Sequence, residues 1–199
     1  DIVLTGSSKT DAVTISSTGT ITWKKSDGTE TKLEGQKAVE IYSAALQAAI
    51  NRFIAHAIKH GAVYARGADI PESPPGGVAV CTGSSKGWSK TGTGTFIFLG
   101  DVSLQGSGLA ITSLNGYPAL IVLSASDVHI NAGTVIHGAV IMPLASIKIN
   151  GHAEIYGPLL IGQGMTGNGT ADLYAEGGQG FALPPDETVT DNVVITAWH

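Results

Sequence analysis

The sequence predicts a mainly β protein: a short right-handed parallel β-solenoid of about four coils, with one long flanking or capping α-helix and a small N-terminal β-hairpin region. Three observations predict it. A unit of about twenty residues repeats across the second half: ALIVLSASDVHINAGTVIHG from Ala119 to Gly138, AVIMPLASIKINGHAEIYG from Ala139 to Gly157, and a degraded copy from Pro158 to Gly178. Each copy holds three short β-prone runs parted by Gly, Asn, Ser or Ala, with no helical period inside. The 27 glycines and the low charged fraction of 14 % suit many tight turns between strands, not a helical or disordered chain.

The elements follow in order. Residues 1–35 read as strands; Ala12 to Ser16 alternates, and TITWKK, the turn Ser26-Asp27-Gly28-Thr29 and ETKLE make a hairpin whose Asp-Gly pair supplies a positive φ. Residues 36–61 read as an amphipathic helix. Val39, Tyr42, Leu46, Ala49, Ile50, Phe53 and Ala57 recur at spacings of three and four, Ile54 and Ile58 widen the stripe, and Gly61 stops it after Lys59 and His60. A rod of roughly 36 Å can lie along a solenoid flank or cap its open end.

Residues 62–94 are rich in turn formers and read as an irregular loop region. Within it, TGSSKGWSKTGTGT is a connecting loop or, functionally, a surface loop presenting Trp88 between Lys86 and Lys90. The solenoid itself spans 95–178, opening on an irregular coil. Residues 179–199 form a linker around LPPDE and a final strand, NVVITAWH, expected to pair with the N-terminal strands.

Aligning the coils gives each position a role. Val102, Val128, Ile147 and Met165 share one column, and Leu104, Ile130 and Ile149 another; both face inward, because residues i and i+2 of a strand share a face. Ser103, His129, Lys148 and Thr166 face out between them. Gln105, Asn131, Asn150 and Asn168 stack at a turn as an amide ladder that bonds coil to coil. Ile111, Ile136, Ile155 and Leu173 face in on a further strand, and beside them Thr112, His137, Tyr156 and Tyr174 form an outward stripe that serves as a contact surface or as simple stacking.

Composition narrows the function. A net charge of −5 disfavours non-specific nucleic-acid binding by bulk charge. Cys81 is the single cysteine, so an intrachain disulfide, a zinc ribbon and CxxC redox chemistry are excluded. No run reaches the ~18 apolar residues of a membrane span. The start at Asp1, without Met or an apolar leader, reads as a processed soluble portion.

Catalysis finds no footing. His56, His60, His129, His137, His152 and His199 occur without HxH or HExxH spacing, and His129 and His137 belong to different faces of one coil, so no metal site and no cofactor are assigned. The regular coils carry Asp127, Glu154 and Lys148 as their only charged residues, with the two carboxylates in different columns. No catalytic residue is assigned. An enzymatic alternative rests on Val135, Ile141, Ile147, Ala153 and Leu159, which recur every six residues in the manner of left-handed β-helix acyltransferases and γ-type carbonic anhydrases; a lyase-type solenoid is the other enzymatic option.

FIFLGDVSLQGSG as a lead-in coil, Tyr117-Pro118-Ala119-Leu120 entering an apolar strand, and the "xVxIxAG…xIxGAVI" coils together resemble the short β-solenoid of bacterial type IV pilus-associated proteins, the PilX-like assembly proteins and the competence-type minor pilins. The resemblance covers about 70 residues. It implies a non-enzymatic, surface-exposed structural or adhesive module, anchored by a segment not in this chain. Its partners are expected to be other pilus or surface proteins, DNA or a glycan, met through Lys86, Trp88, Lys90, His137, Tyr156 and Tyr174. Bactofilins, self-assembling cytoskeletal solenoids with the same coil pattern, are the second resemblance.

Overall fold

The structure, a computed structural model, describes residues 2–6, 9–10, 21–25, 30–33, 43–104, 108–168, 170–174 and 181–186. The chain winds into a parallel β-solenoid with three faces. Face A stacks Ser85–Trp88, Val102–Leu104, Val128–Asn131, Ser146–Asn150 and Gly164–Asn168. Face B stacks Thr91–Thr93, Ala110–Thr112, Thr134–His137, Ala153–Tyr156 and Ala171–Tyr174. Face C stacks Val78–Cys81, Thr95–Phe98, Leu120–Val122, Val140–Met142 and Leu159–Ile161. With a further layer from the N-terminal strands there are about six turns, where the repeat predicts about four.

The interior is built as the alignment predicts. Val128, Ile147 and Met165 stand opposite one another in register, as do Ile130 and Ile149, and Ile111, Ile136, Ile155 and Leu173. Phe96, Phe98, Leu104, Ile111, Leu120, Ile130 and Ile136 are wholly buried in one core, and each such side chain contributes about 1.5–3 kcal/mol. The six-residue rhythm is an interior pattern only in part. Ile147 and Ala153 face inward, whereas Ile141 packs outside face C and Val135 sits half-buried between inward Thr134 and Ile136. Leu159 packs against the inner core as well, so the period of six holds at three of the five positions.

The coils also begin earlier than Thr95. Residues 78–93 form a complete first coil, and residues 62–77 fold over its end as a cap instead of wandering as a loop. Thr93 N–H donates to the Glu72 carbonyl (2.8 Å), Thr82 N–H to that of Tyr64 (2.9 Å), and Val63–Tyr64 adds a short parallel strand beside Val78–Cys81. The first coil escapes the repeat because its core is not aliphatic: Trp88 packs on Phe96 and Phe98 at ring-centroid distances of 5.2 and 5.0 Å.

The helix, α1, is Ala44–Lys59, shorter than the 36–61 the apolar stripe predicts. Ser43 sets its start, the side chain accepting from the Leu46 N–H at 3.3 Å, a polar cap that satisfies one orphan donor. Gly61, at φ 67°, closes the other end; residues 36–42 lie outside the described residues. α1 lies on the outside of face C, flanking the stack. There Val80, Ile97, Ile121, Ile141 and Leu160 form an outward apolar column across five coils, covered by Leu46, Ile50, Phe53, Ile54 and Ala57. Face C is thus buried on both sides, the physical reason its strands read as unbroken apolar runs (AVIM, PLLI) where face A alternates. Residues 181–186 run beside the helix without regular structure: Ala182 N–H donates to the Gly116 carbonyl, the Arg52 guanidinium to that of Pro184, and Phe181 packs on Phe53.

The N-terminal strands lie at the opposite end of the stack from the cap. Ile2–Gly6 pairs parallel with Gly164–Asn168, Lys9–Thr10 with Ala171–Tyr174, and Ile21–Lys25 with Ile2–Gly6. Glu30–Leu33 returns antiparallel to Ile21–Lys25, as a hairpin requires. The turn residues 26–29, the run 12–16 and the terminal NVVITAWH fall outside the described residues.

Candidate functional site

Faces A and B are free of the helix, and their outward side chains are the candidate contacts. On face B, the strand register brings Thr112, His137, Tyr156 and Tyr174 into one column. The rings stack: His137 on Tyr156 at 4.3 Å and 13°, Tyr156 on Tyr174 at 4.5 Å and 10°. Coil spacing near 4.8 Å is what makes this possible, since aromatic residues at equivalent positions meet almost face to face.

Beside that stack runs a second outward column that the sequence reading missed. Glu154 stands opposite Asp172 on the next coil. Two carboxylates one rung apart repel, and their neighbours compensate. Tyr156 Oη donates to Glu154 Oε2 (2.5 Å) and Tyr174 Oη to Asp172 Oδ2 (3.5 Å). His152 Nε2 lies 3.6 Å from Glu154 Oε1 and 3.4 Å from Asp172 Oδ2, bridging the coils. Asp172 is 7 % exposed. Desolvation, then the charges of Asp172 and Glu154, push the Tyr174 phenol above its ordinary value. The clue lay in the alignment: the residue two before each stacked tyrosine is acidic, and positions i and i+2 share a face. Asp172 belongs to the degraded copy, outside the regular coils, where Glu154 has only Asp127 to be compared with; Asp127 sits at the start of face A and serves another cluster.

That cluster is on face A. Asp127 Oδ2 accepts from Lys148 Nζ at 2.6 Å, and Asp127 Oδ1 accepts from the Ser146 hydroxyl. The bonds from Lys148 and Ser146 and the Lys148 charge hold the Asp127 carboxyl below the usual aspartate range. At the turn between faces A and B the amide ladder is present for two members: Asn131 Nδ2 donates to the Leu104 carbonyl (3.0 Å) and Asn150 Nδ2 to Asn131 Oδ1 (3.4 Å). Asn168 continues the register as an exposed residue; Gln105 lies outside the described residues.

Lys86, Trp88 and Lys90 do not form the expected exposed contact. Trp88 is 4 % exposed and belongs to the core; its indole Nε1 donates to the Gly67 carbonyl at 3.1 Å. A β-bulge at Gly87 (φ 68°), which sets Val102 opposite Ser85 but Leu104 opposite Trp88, breaks the alternation and turns the indole inward, away from Lys86. Lys90 Nζ donates to the carbonyls of Ala68 and Ile70 and so ties the cap to the first coil. Lys86 stays exposed on a shallow hollow of about 340 Å³ shared with Arg66, Ser84 and Ser89. Arg66 is paired with Asp69 at 3.0 Å.

Among the described residues no group of three or more His, Cys, Asp or Glu side chains is placed to hold a metal ion, and no helix is long and apolar enough to cross a membrane. No family model, curated protein or solved structure matches this chain.

Proposed function

We propose that this chain is a non-enzymatic structural or adhesive module of a bacterial surface fibre of the type IV or competence pilus kind, and that its contact strip is face B: His137, Tyr156 and Tyr174 with Glu154, backed by the buried Asp172. The observation that carries the reading is the three-ring stack beside two carboxylates. The rings spend their faces on one another, so the strip offers ring edges, hydroxyls and the Glu154 carboxylate. Such a surface suits a basic protein patch or the hydroxyl groups of a glycan. Duplex DNA is the poorest fit, because Glu154 and Asp172 repel phosphate, while at the capped end Lys90 and Arg66 are already engaged. A self-assembling scaffold of the bactofilin kind is the second reading, favoured by the N-terminal strands lying on the last coil.

Immobilised glycans, a basic protein surface and duplex DNA, offered in parallel to the wild type and to Tyr156→Ala/Tyr174→Ala, test the first reading. Glycan or basic-protein binding that falls at least about tenfold in the variant, the loss of roughly 1.4 kcal/mol, supports it. Binding confined to DNA and collapsing with salt, or binding indifferent to both substitutions, refutes the strip.

A further inference from the structure

The order of strands along the stack differs from their order in the chain. From Val78 to Tyr174 each coil rests on the one before it. The next layer comes from the other end of the sequence: Ile2 stands opposite Met165, Val3 opposite Thr166 and Lys9 opposite Asp172. Ile21–Lys25 and Glu30–Leu33 then extend face A further. One chain thus carries a donor segment, residues 2–33, and an acceptor edge, residues 164–174. More than a hundred residues of helix, cap and solenoid separate the two in sequence.

We infer that the donor segment passes between copies: residues 2–33 of one chain complete the last coil of the next, producing open head-to-tail chains. Parallel pairing is made by backbone N–H and C=O groups, which are the same in every copy, so a second chain offers the identical register. What separates pairing within a chain from pairing between chains is the tether and the concentration. From Leu33 to Ser43 the chain can span up to roughly 35 Å, about seven coil spacings, enough to reach an abutting acceptor edge.

The two ends of the stack are also unequal. Residues 62–77 close the first coil, through Lys90, Thr93 and Trp88. At the other end the added layer covers faces A and B, while face C stops at Leu159–Ile161 among the described residues. Those three are half-buried, where the equivalent residues of the preceding coils are buried. One closed end and one acceptor edge make the contact heterologous, and heterologous contacts propagate. The inference deepens the scaffold reading and rests on it.

The test places cysteines at registered positions in the full chain, Val3→Cys and Thr166→Cys, whose parallel spacing near 4.8 Å falls within disulfide reach. The double variant is refolded over a dilution series and oxidised with glutathione disulfide. The expected result is an internally closed monomer when dilute and a ladder of disulfide-linked multimers when concentrated. Chains carrying one introduced cysteine each beside Cys81, mixed before refolding, are expected to give a heterodimer; Val3→Cys mixed with Lys148→Cys, one strand further away, is expected to give none. Wild type, with its buried Cys81, controls for background. Monomer at every concentration, a ladder that stops at dimer, or failure of the registered pair to close at all overturns the inference. Filaments in electron micrographs without cross-links between copies overturn it too, yet leave the scaffold reading standing; absence of both removes the two together.

Discussion

The indole Nε1 of Trp88 donates to the carbonyl of Gly67 at 3.1 Å, and the Gly67 N–H donates in turn to Ser85 Oγ at 2.8 Å. This reciprocal pair fastens the cap to the first coil. A Cβ added at Gly67 comes within 2.6 Å of Ser85 Oγ and 2.8 Å of Trp88 Cδ1, so the cap must lift. Gly67→Ala is expected to lower stability by about 1–3 kcal/mol, and Trp88→Ala by about 3–5 kcal/mol, both read from thermal or urea unfolding. Wild-type stability in either would show that the cap is not fastened there.

The aromatic stack makes a graded prediction. Tyr156 touches a ring on each side, whereas Tyr174 stacks on Tyr156 at one end. At about 0.5–1.5 kcal/mol per pair, Tyr156→Ala is expected to cost about twice what Tyr174→Ala costs, and a double-mutant cycle should return a coupling close to one pair. Equal costs with no coupling would mean that the rings do not stack.

Asp127 supplies the pH prediction. Its carboxyl is held below the usual range, chiefly by the hydrogen bond from Lys148, so folding favours the ionised form. A depressed folded value gives stability that is present above the ordinary aspartate pKa, about 3.9, and lost as pH falls through the lower folded value. Melting temperatures of wild type and Asp127→Asn should therefore differ at pH 7 and converge in strong acid, and salt should narrow the gap at pH 7. A gap that widens on acidification would reverse the sign and discard the assignment.

The helix is expected to be secured by face C, not by propensity. Phe53 is wholly buried, edge-on to Tyr117 at 5.4 Å and 81°. Phe53→Ala is expected to cost about 3–5 kcal/mol, while Ser43→Ala, which removes only the cap, should cost about 1 kcal/mol. Chemical denaturation followed by far-ultraviolet circular dichroism separates the two.

Much of this architecture was legible in the residues. Val128, Ile147 and Met165, or His137, Tyr156 and Tyr174, find each other by position alone, because a solenoid converts a sequence period into vertical contact. Trp88 was misread because it sits in a glycine-rich stretch without aliphatic alternation, and an aromatic core filled from neighbouring coils leaves no period to detect. The placement of Ile2–Gly6 on Gly164–Asn168 was beyond reach for a different reason. Parallel pairing is a contract between backbones, and backbones carry no name for their partners.

That placement has a consequence for synthesis. Residues 2–33 leave the ribosome before the strands they rest on, with about 130 residues between the two. At about 5–20 residues per second the edge of Ile2–Gly6 that meets Gly164–Asn168 waits roughly six to twenty-six seconds for its partner. Neighbouring nascent chains on one message carry the same waiting edge at the same moment, so the nearest strand outside the chain that this edge can meet belongs to its twin.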